Sequence, residues 1–139
     1  MNDNKQMTDV WHLPAIAPWE KTCTKHPTQK PLALLTRIIL ASTRPNDWIL
    51  DPFAGSSTTG IAANLFGRRY LGIEQESDFL EISKARRIEI EQLDIVSTFR
   101  EKIFKQLSRQ SNGYNYEPLT DAMQLSDEVS DYNISALPF

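Results

Sequence analysis

The sequence predicts an α/β fold organised around one β-loop-α-β unit, and three observations carry that prediction. Two short apolar runs, Trp48-Ile49-Leu50 and Tyr70-Leu71-Gly72-Ile73, each end on a carboxylate, Asp51 and Glu74. The stretch after the first acid, Pro52-Phe53-Ala54-Gly55-Ser56-Ser57, opens on a proline that cannot donate to a ladder and continues with small residues. Such residues let the backbone turn tightly and let a ligand come close. Thr58 and Thr59 then suit a helix N-terminus, residues 60–66 can carry the helix away, and Gly67 suits its C-terminal stop.

Two parallel strands joined by a right-handed crossover place both strand ends on one edge of the sheet. In a Rossmann-like sheet, ligands bind outside those carboxyl ends. Loop amides and a helix N-terminus favour groups with negative charge there. Glu74 is placed to accept two hydroxyls of a ribose, as the acid after the second strand does in dinucleotide-binding folds. Asp51 is placed to meet a cationic group or to hold the loop amides. The unit therefore suits a nucleoside ligand that also carries an amino-acid-like zwitterion.

At this point the residues resemble a known family. Asp51-Pro52-Phe53-Ala54-Gly55-Ser56-Ser57-Thr58-Thr59 is similar to the S-adenosyl-L-methionine-binding motif of DNA amino-methyltransferases, which act on adenine N6 or cytosine N4. Glycine is usual in that family where Ser57 stands, so the loop here keeps a small side chain but has less backbone freedom. Upstream, His26-Pro27-Thr28-Gln29-Lys30-Pro31-Leu32 resembles the family's other cofactor motif. In the permuted order called the β class this motif directly precedes the Asp-Pro-Phe motif, as it does here. The resemblance covers roughly residues 10–93. It implies a partial Rossmann-like methyltransferase fold that binds S-adenosyl-L-methionine. It assigns the amino-acid end of the cofactor to His26, Thr28, Gln29, Lys30 and Pro31. The rest of the cofactor falls to Asp51, Pro52, Phe53, Ala54, Gly55, Ser56, Ser57, Thr58, Glu74 and Gln75.

The chain has 139 residues, the size of one domain, and a net charge of -3, without the basic bias usual in nucleic-acid binders. A single cysteine, Cys23, gives neither an internal disulfide nor a metal cluster. The polar start Met1-Asn2-Asp3-Asn4 is unlike a signal peptide, no apolar run is long enough to span a membrane, and the cytosol is the expected location.

In chain order, residues 1–24 form an N-terminal extended segment, with a loose start and with Pro14 and Pro18 among apolar residues. Val10, Trp11 and Ile16 either pack the segment onto the core or sit near the cofactor. Residues 25–93 are the expected cofactor-binding part. Pro27 and Pro31 hold the polar residues between them at low entropic cost. Leu32, Leu34, Leu35, Ile38 and Ile39 recur at helical spacing up to about Ser42. His26, a lone histidine, reads as structural rather than as a base. Arg68 and Arg69 either touch phosphate or, as is usual at a helix end, complement the dipole in solvent. A helix is expected over 77–93, with Ser77, Asp78 and Glu81 as a capping box, with Phe79, Ile82, Ala85 or Arg86, Ile90 and Leu93 on the 3.6 period, and with a charged outer face of Lys84, Arg86, Arg87, Glu89 and Glu91. Residues 94–139 give a second amphipathic helix with Phe99, Ile103, Phe104 and Leu107, then an acidic tail expected to be partly disordered or to fold on a partner.

These methyltransferases carry an Asp-Pro-Pro-Tyr-like tetrapeptide that holds the target amine and stacks on the flipped base. The chain contains no Pro-Pro pair, so it supplies no catalytic residue, and no metal is expected. Two strands with three helices also leave an open sheet edge and a small core. The expectation is therefore the C-terminal, cofactor-binding half of a site-specific DNA adenine methyltransferase in a restriction-modification setting. It would be inactive until joined by a complementary chain with the tetrapeptide and the DNA recognition region. The alternatives are the corresponding half of a cytosine-N4 enzyme and an inactive cofactor-binding or interaction module. A nicotinamide-dependent fold ranks lower, because the loop lacks Gly-x-Gly-x-x-Gly.

Overall fold

A computed structural model describes residues 10–21 and 29–108. The helices are α1 (Leu32–Ser42), α2 (Thr58–Leu65), α3 (Ser77–Glu89) and α4 (Leu93–Ser108), and the strands are β1 (Trp48–Asp51) and β2 (Arg69–Gly72). A single 3-10 turn, Pro18–Lys21, precedes them. Among the described residues the sheet has two parallel strands, with Trp48 opposite Arg69, Ile49 opposite Tyr70, Leu50 opposite Leu71 and Asp51 opposite Gly72. The second strand begins and ends one residue earlier than its apolar run suggested. Pairing nonetheless continues past it, because the Ile73 amide donates to the Asp51 carbonyl and the Ala54 amide to the Ile73 carbonyl, both at 2.9 Å.

Helix α2 is the crossover, and its end shows why it stops. The Arg68 amide donates to the Ala63 carbonyl at 2.9 Å and the Gly67 amide to the Asn64 carbonyl at 3.3 Å. With Gly67 at φ 69°, this is a Schellman motif, which satisfies carbonyls the helix leaves open. The Arg68 guanidinium, which is buried, fastens this end to the end of α1. It donates to the Phe66 carbonyl, to the Thr43 carbonyl at 2.8 Å and to Thr43 Oγ1 at 3.0 Å. Arg68 is thus a structural tie rather than a solvated or phosphate-seeking group. Arg69 is exposed and lies over the Trp48 ring, 5.7 Å from its centroid.

The core lies on one side of the sheet, where α1, α2 and α4 pack together. It is built from Leu32 and Ile39, Ile61 and Leu65, Tyr70, and Phe99, Ile103 and Leu107. Phe99, Ile103 and Leu107 bury the face that the sequence marks on α4, and this helix belongs to the same core as the cofactor-binding part. Trp19 meets Phe99 edge-on at 5.2 Å, so the N-terminal segment packs on the core. On α1 the buried positions are Leu32, Ala33, Thr36 and Ile39, while Ile38 is exposed. The inward face of the helix is thus turned slightly from the one the apolar spacing suggested. The expected helix over 77–93 breaks after Glu89. Its N-cap, Glu76, makes no side-chain capping bond, and Glu81 pairs instead with Lys84 at 2.8 Å in solvent. The acidic tail and Cys23 lie outside the described residues.

The opposite side of the sheet is bare among the described residues. Trp48, Leu50, Leu71 and Ile73 are 57, 61, 46 and 55% exposed.

Candidate functional site

The site is assembled at the carboxyl edge of the two strands. Asp51 ends β1, Glu74 lies two residues beyond β2, and because the strands are parallel both acids fall on the same edge. The loop from Pro52 to Ser57 spans them. The Asp51 carboxylate accepts from the Phe53 amide at 3.1 Å, so it shapes the first turn of the loop. The Glu74 carboxylate bridges two segments: one oxygen accepts from the Gly55 amide at 2.7 Å and the other from the Glu76 amide at 3.0 Å. These bonds fix the carboxylate's orientation.

The loop backbone turns at two left-handed residues, Gly55 and Ser57, both at φ 52°. Glycine adopts this region freely, but for another L-residue it costs about 1–2 kcal/mol. Ser57, at ψ 38°, is the cap position from which α2 starts, and it is buried. Its carbonyl accepts from the Ile61 amide at 2.9 Å and its amide donates to the Ala54 carbonyl at 2.8 Å. The residue that departs from the family pattern therefore stands at a position where glycine would be unstrained.

Helix α3 holds the loop from outside. Ser83 Oγ lies 2.9 Å from both the Gly55 carbonyl and the Phe79 carbonyl of its own helix and shares its one proton between them, and Arg86 Nη1 donates to the Ser56 carbonyl, to Ser56 Oγ at 3.2 Å and to Thr58 Oγ1 at 3.0 Å. Both side chains are buried: Arg86, which the sequence left open between the inward stripe and the charged outer face, lies inward, and Arg87, expected on the outer face, is buried too. A signal was present: Phe79, Ser83, Arg86 and Ile90 recur at helical spacing and form one stripe on the inward side.

Beneath the loop lies Tyr70. A Cβ built on Gly60 would sit 2.5 Å from its ring, and one on Gly72 would sit 2.6 Å from its hydroxyl, so both glycines make room for this side chain. Burial pushes the Tyr70 phenol up. The Ser57 hydroxyl works against that rise, and Asp51 and Glu74 add to it.

The remaining expected site residues are less gathered. Pro31 is the N-cap of α1, at φ -62° and ψ 136°. Lacking a capping side chain of its own, α1 is capped by Glu20, a buried carboxylate that accepts from the Leu32 amide at 2.7 Å and from the Ala17 amide at 3.2 Å. The Gln29 side-chain amide donates to the Glu20 carbonyl at 2.9 Å, and Lys30 is exposed. Pro52, Phe53 and Gln75 are exposed, Phe53 at 89%. His26 and Thr28 lie outside the described residues. Among the described residues, no cluster of His, Cys, Asp or Glu could hold a metal ion, and no helix is long and apolar enough to cross a membrane.

A parallel β-loop-α-β unit, with a carboxylate at or just beyond the end of each strand and a tight loop between them, defines an α/β protein of the kind that binds ligands at the carboxyl edge of its sheet. Residues 1–85 match the DNA methylase family, and the chain belongs to that family. It is 58% identical over 108 residues to the type II methyltransferase M2.MboI of Moraxella bovis, covering 78% of this chain and 39% of that protein. It is 55% identical over 86 residues to the type II methyltransferase M2.DpnII of Streptococcus pneumoniae, covering 62% of this chain and 32% of that one. With the DNA adenine methyltransferase YhdJ of Escherichia coli (strain K12) it shares 39% identity over 112 residues, or 81% of this chain and 36% of that protein. Among solved structures, the M1.HpyAVI–SAM complex superposes with a TM-score of 0.44 and 52% identity, over 45% of this chain and 32% of that chain. The chain thus spans 32 to 39% of the length of these curated relatives.

Proposed function

We propose that this chain forms the S-adenosyl-L-methionine-binding half of a site-specific DNA methyltransferase acting on adenine N6. One observation carries the reading: Asp51 and Glu74 share the carboxyl edge, and the Gly55 amide is bonded to the Glu74 carboxylate between them. The residues fit the cofactor. Glu74, oriented by two backbone amides at the carboxyl edge, is an acceptor of the kind that suits ribose hydroxyls. Asp51 suits the cationic end of the ligand, and the amides around Ser56 to Thr58 at the start of α2 suit its anionic groups. The segment from His26 to Pro31, with Thr28, Gln29 and Lys30, would take the amino-acid end, with Gln29 also fastening that segment to Glu20. When bound, the cofactor supplies a sulfonium methyl group for transfer to an exocyclic amine. This chain's residues bind and orient it.

Adenine is favoured over cytosine because a relative that is similar over most of this chain is named a DNA adenine methyltransferase. The Pro-Pro tetrapeptide and the base readout have to come from residues outside these 139, whichever polypeptide carries them. The edge of β1 that is unpaired among the described residues and the apolar face at Trp48, Leu50, Leu71 and Ile73, bare among them, suit further strands and helices that would complete the domain. DNA would be met only through that assembled enzyme.

Titration of the chain with S-adenosyl-L-methionine tests the reading. Asp51→Ala and Glu74→Ala are each expected to weaken binding by about 1–3 kcal/mol, the loss of a charged hydrogen bond. Absence of binding by the wild-type chain, with its fold intact by circular dichroism, overturns the proposal. Methyl transfer to DNA on adding a chain that carries the Pro-Pro region and the recognition region tests the second half of it.

A further inference from the structure

Two features of the loop belong together. Ser57 holds a left-handed conformation that a serine adopts reluctantly, and such strain persists only where the surroundings over-determine it. The atoms flanking Ser57 on both sides are gripped by one helix. From α3, Ser83 takes the Gly55 carbonyl, and Arg86 takes the Ser56 carbonyl, the Ser56 hydroxyl and the Thr58 hydroxyl. Ser83 is 2% exposed and Arg86 4%, so water offers the loop little substitute for these bonds.

We propose that Ser83 and Arg86 are positioning residues: they clamp residues 55–58 in the turned form that presents the loop amides to the ligand. Arg86 reaches its three acceptors through one guanidinium nitrogen, Nη1, which the planar group holds in a fixed direction, where a lysine ammonium turns on a flexible stem. The clamp pre-organises the loop, so that a ligand need not supply the ordering when it binds. It also accounts for how a serine is tolerated where glycine would be unstrained. The functional half of this inference rests on the loop being the cofactor loop. The clamp itself can be read without any ligand.

The test uses the full 139-residue chain. Amide hydrogen exchange is measured without ligand, and S-adenosyl-L-methionine is titrated, for wild type, Arg86→Met, Arg86→Lys, Ser83→Ala and Arg86→Met combined with Ser57→Gly. Arg86→Met is expected to speed exchange across residues 54–61 about tenfold or more, while amides of α4 around Ile103 keep wild-type rates. Arg86→Lys and Ser83→Ala fall between. Adding Ser57→Gly to Arg86→Met returns part of the protection, because glycine adopts the left-handed turn without the strain that drives serine out of it once the clamp is gone. Affinity for S-adenosyl-L-methionine follows the same order, with a loss of about tenfold in Arg86→Met. Unchanged loop exchange, or equal acceleration in the loop and α4, overturns the clamp. Selective loosening with unchanged affinity overturns the positioning role. Selective loosening in a chain whose wild type binds no S-adenosyl-L-methionine upholds the clamp and removes the cofactor reading. Should Arg86→Met fail to fold, Arg86→Lys and Ser83→Ala decide the same comparison.

Discussion

The two faces of the short sheet are built from the same eight strand residues and have opposite fates. Ile49 and Tyr70 point towards the helices, where Tyr70 is 5% exposed against Gly60 and Gly72. Trp48, Leu50 and Leu71 alternate with them and remain open. In a sheet with one solvated face, the outward positions read polar. Here both faces read apolar, which is the pattern of strands meant to be covered twice. The difference teaches that the packed side carries the stability of the described fold, and that the bare side, apolar but uncovered among the described residues, contributes little to it.

Four measurements can break or sharpen that contrast, the largest effect first. Ile61→Ala on the packed side should lower unfolding stability in urea by about 2–5 kcal/mol, whereas Leu50→Ala on the bare side should stay within about 0.5 kcal/mol. Equal losses would remove the distinction between the faces. Gly60→Ala should cost about 1–3 kcal/mol, because the added methyl meets the body of the Tyr70 ring rather than a flexible tip. A neutral Gly60→Ala would mean that the ring is not held there. In the other direction, Ser57→Gly should raise stability by about 1 kcal/mol by relieving the left-handed serine. A loss of stability in that variant would show that the serine side chain is worth more than the strain.

The fourth measurement is a pH dependence. The Tyr70 phenol is raised in the folded chain, chiefly by burial. The folded state therefore holds that proton more tightly than the unfolded state. Its contribution is fully present below the unfolded value of about 10 and is lost as pH rises through the folded value. Urea midpoints followed from pH 9 to 11 should fall, and fall less steeply in Tyr70→Phe. Parallel slopes for the two proteins would show that the phenol is not shielded.

Much of this arrangement was legible in the residues because it is local. Both strands, the helix that begins at Thr58 and ends before Gly67, and two acids on one edge all follow from short-range patterns. The ties between distant segments could not be read the same way. Arg86 meets Ser56 across 30 residues, Ser83 meets Gly55 across 28, and Glu20 caps α1 across 12. A buried arginine and a surface one look alike in sequence until the acceptors that satisfy it are known. Similarly, a Ser-Asp-x-x-Glu arrangement near 77–81 has the letters of a capping box, but here the helix begins one residue too early for Ser77 to act as the cap.

The in-phase pairing of Ile49 with Tyr70 has a consequence for the connection that precedes β2. Side chains along a strand alternate, so the segment from Gly67 to Arg69 works as a ruler that sets which ones face inward. Lengthening it by a single residue would exchange inside for outside along all of β2. Arg69 and Leu71 would then be turned inward, the phenol would meet water, and Glu74, which follows in the same phase, would swing away from the Gly55 amide.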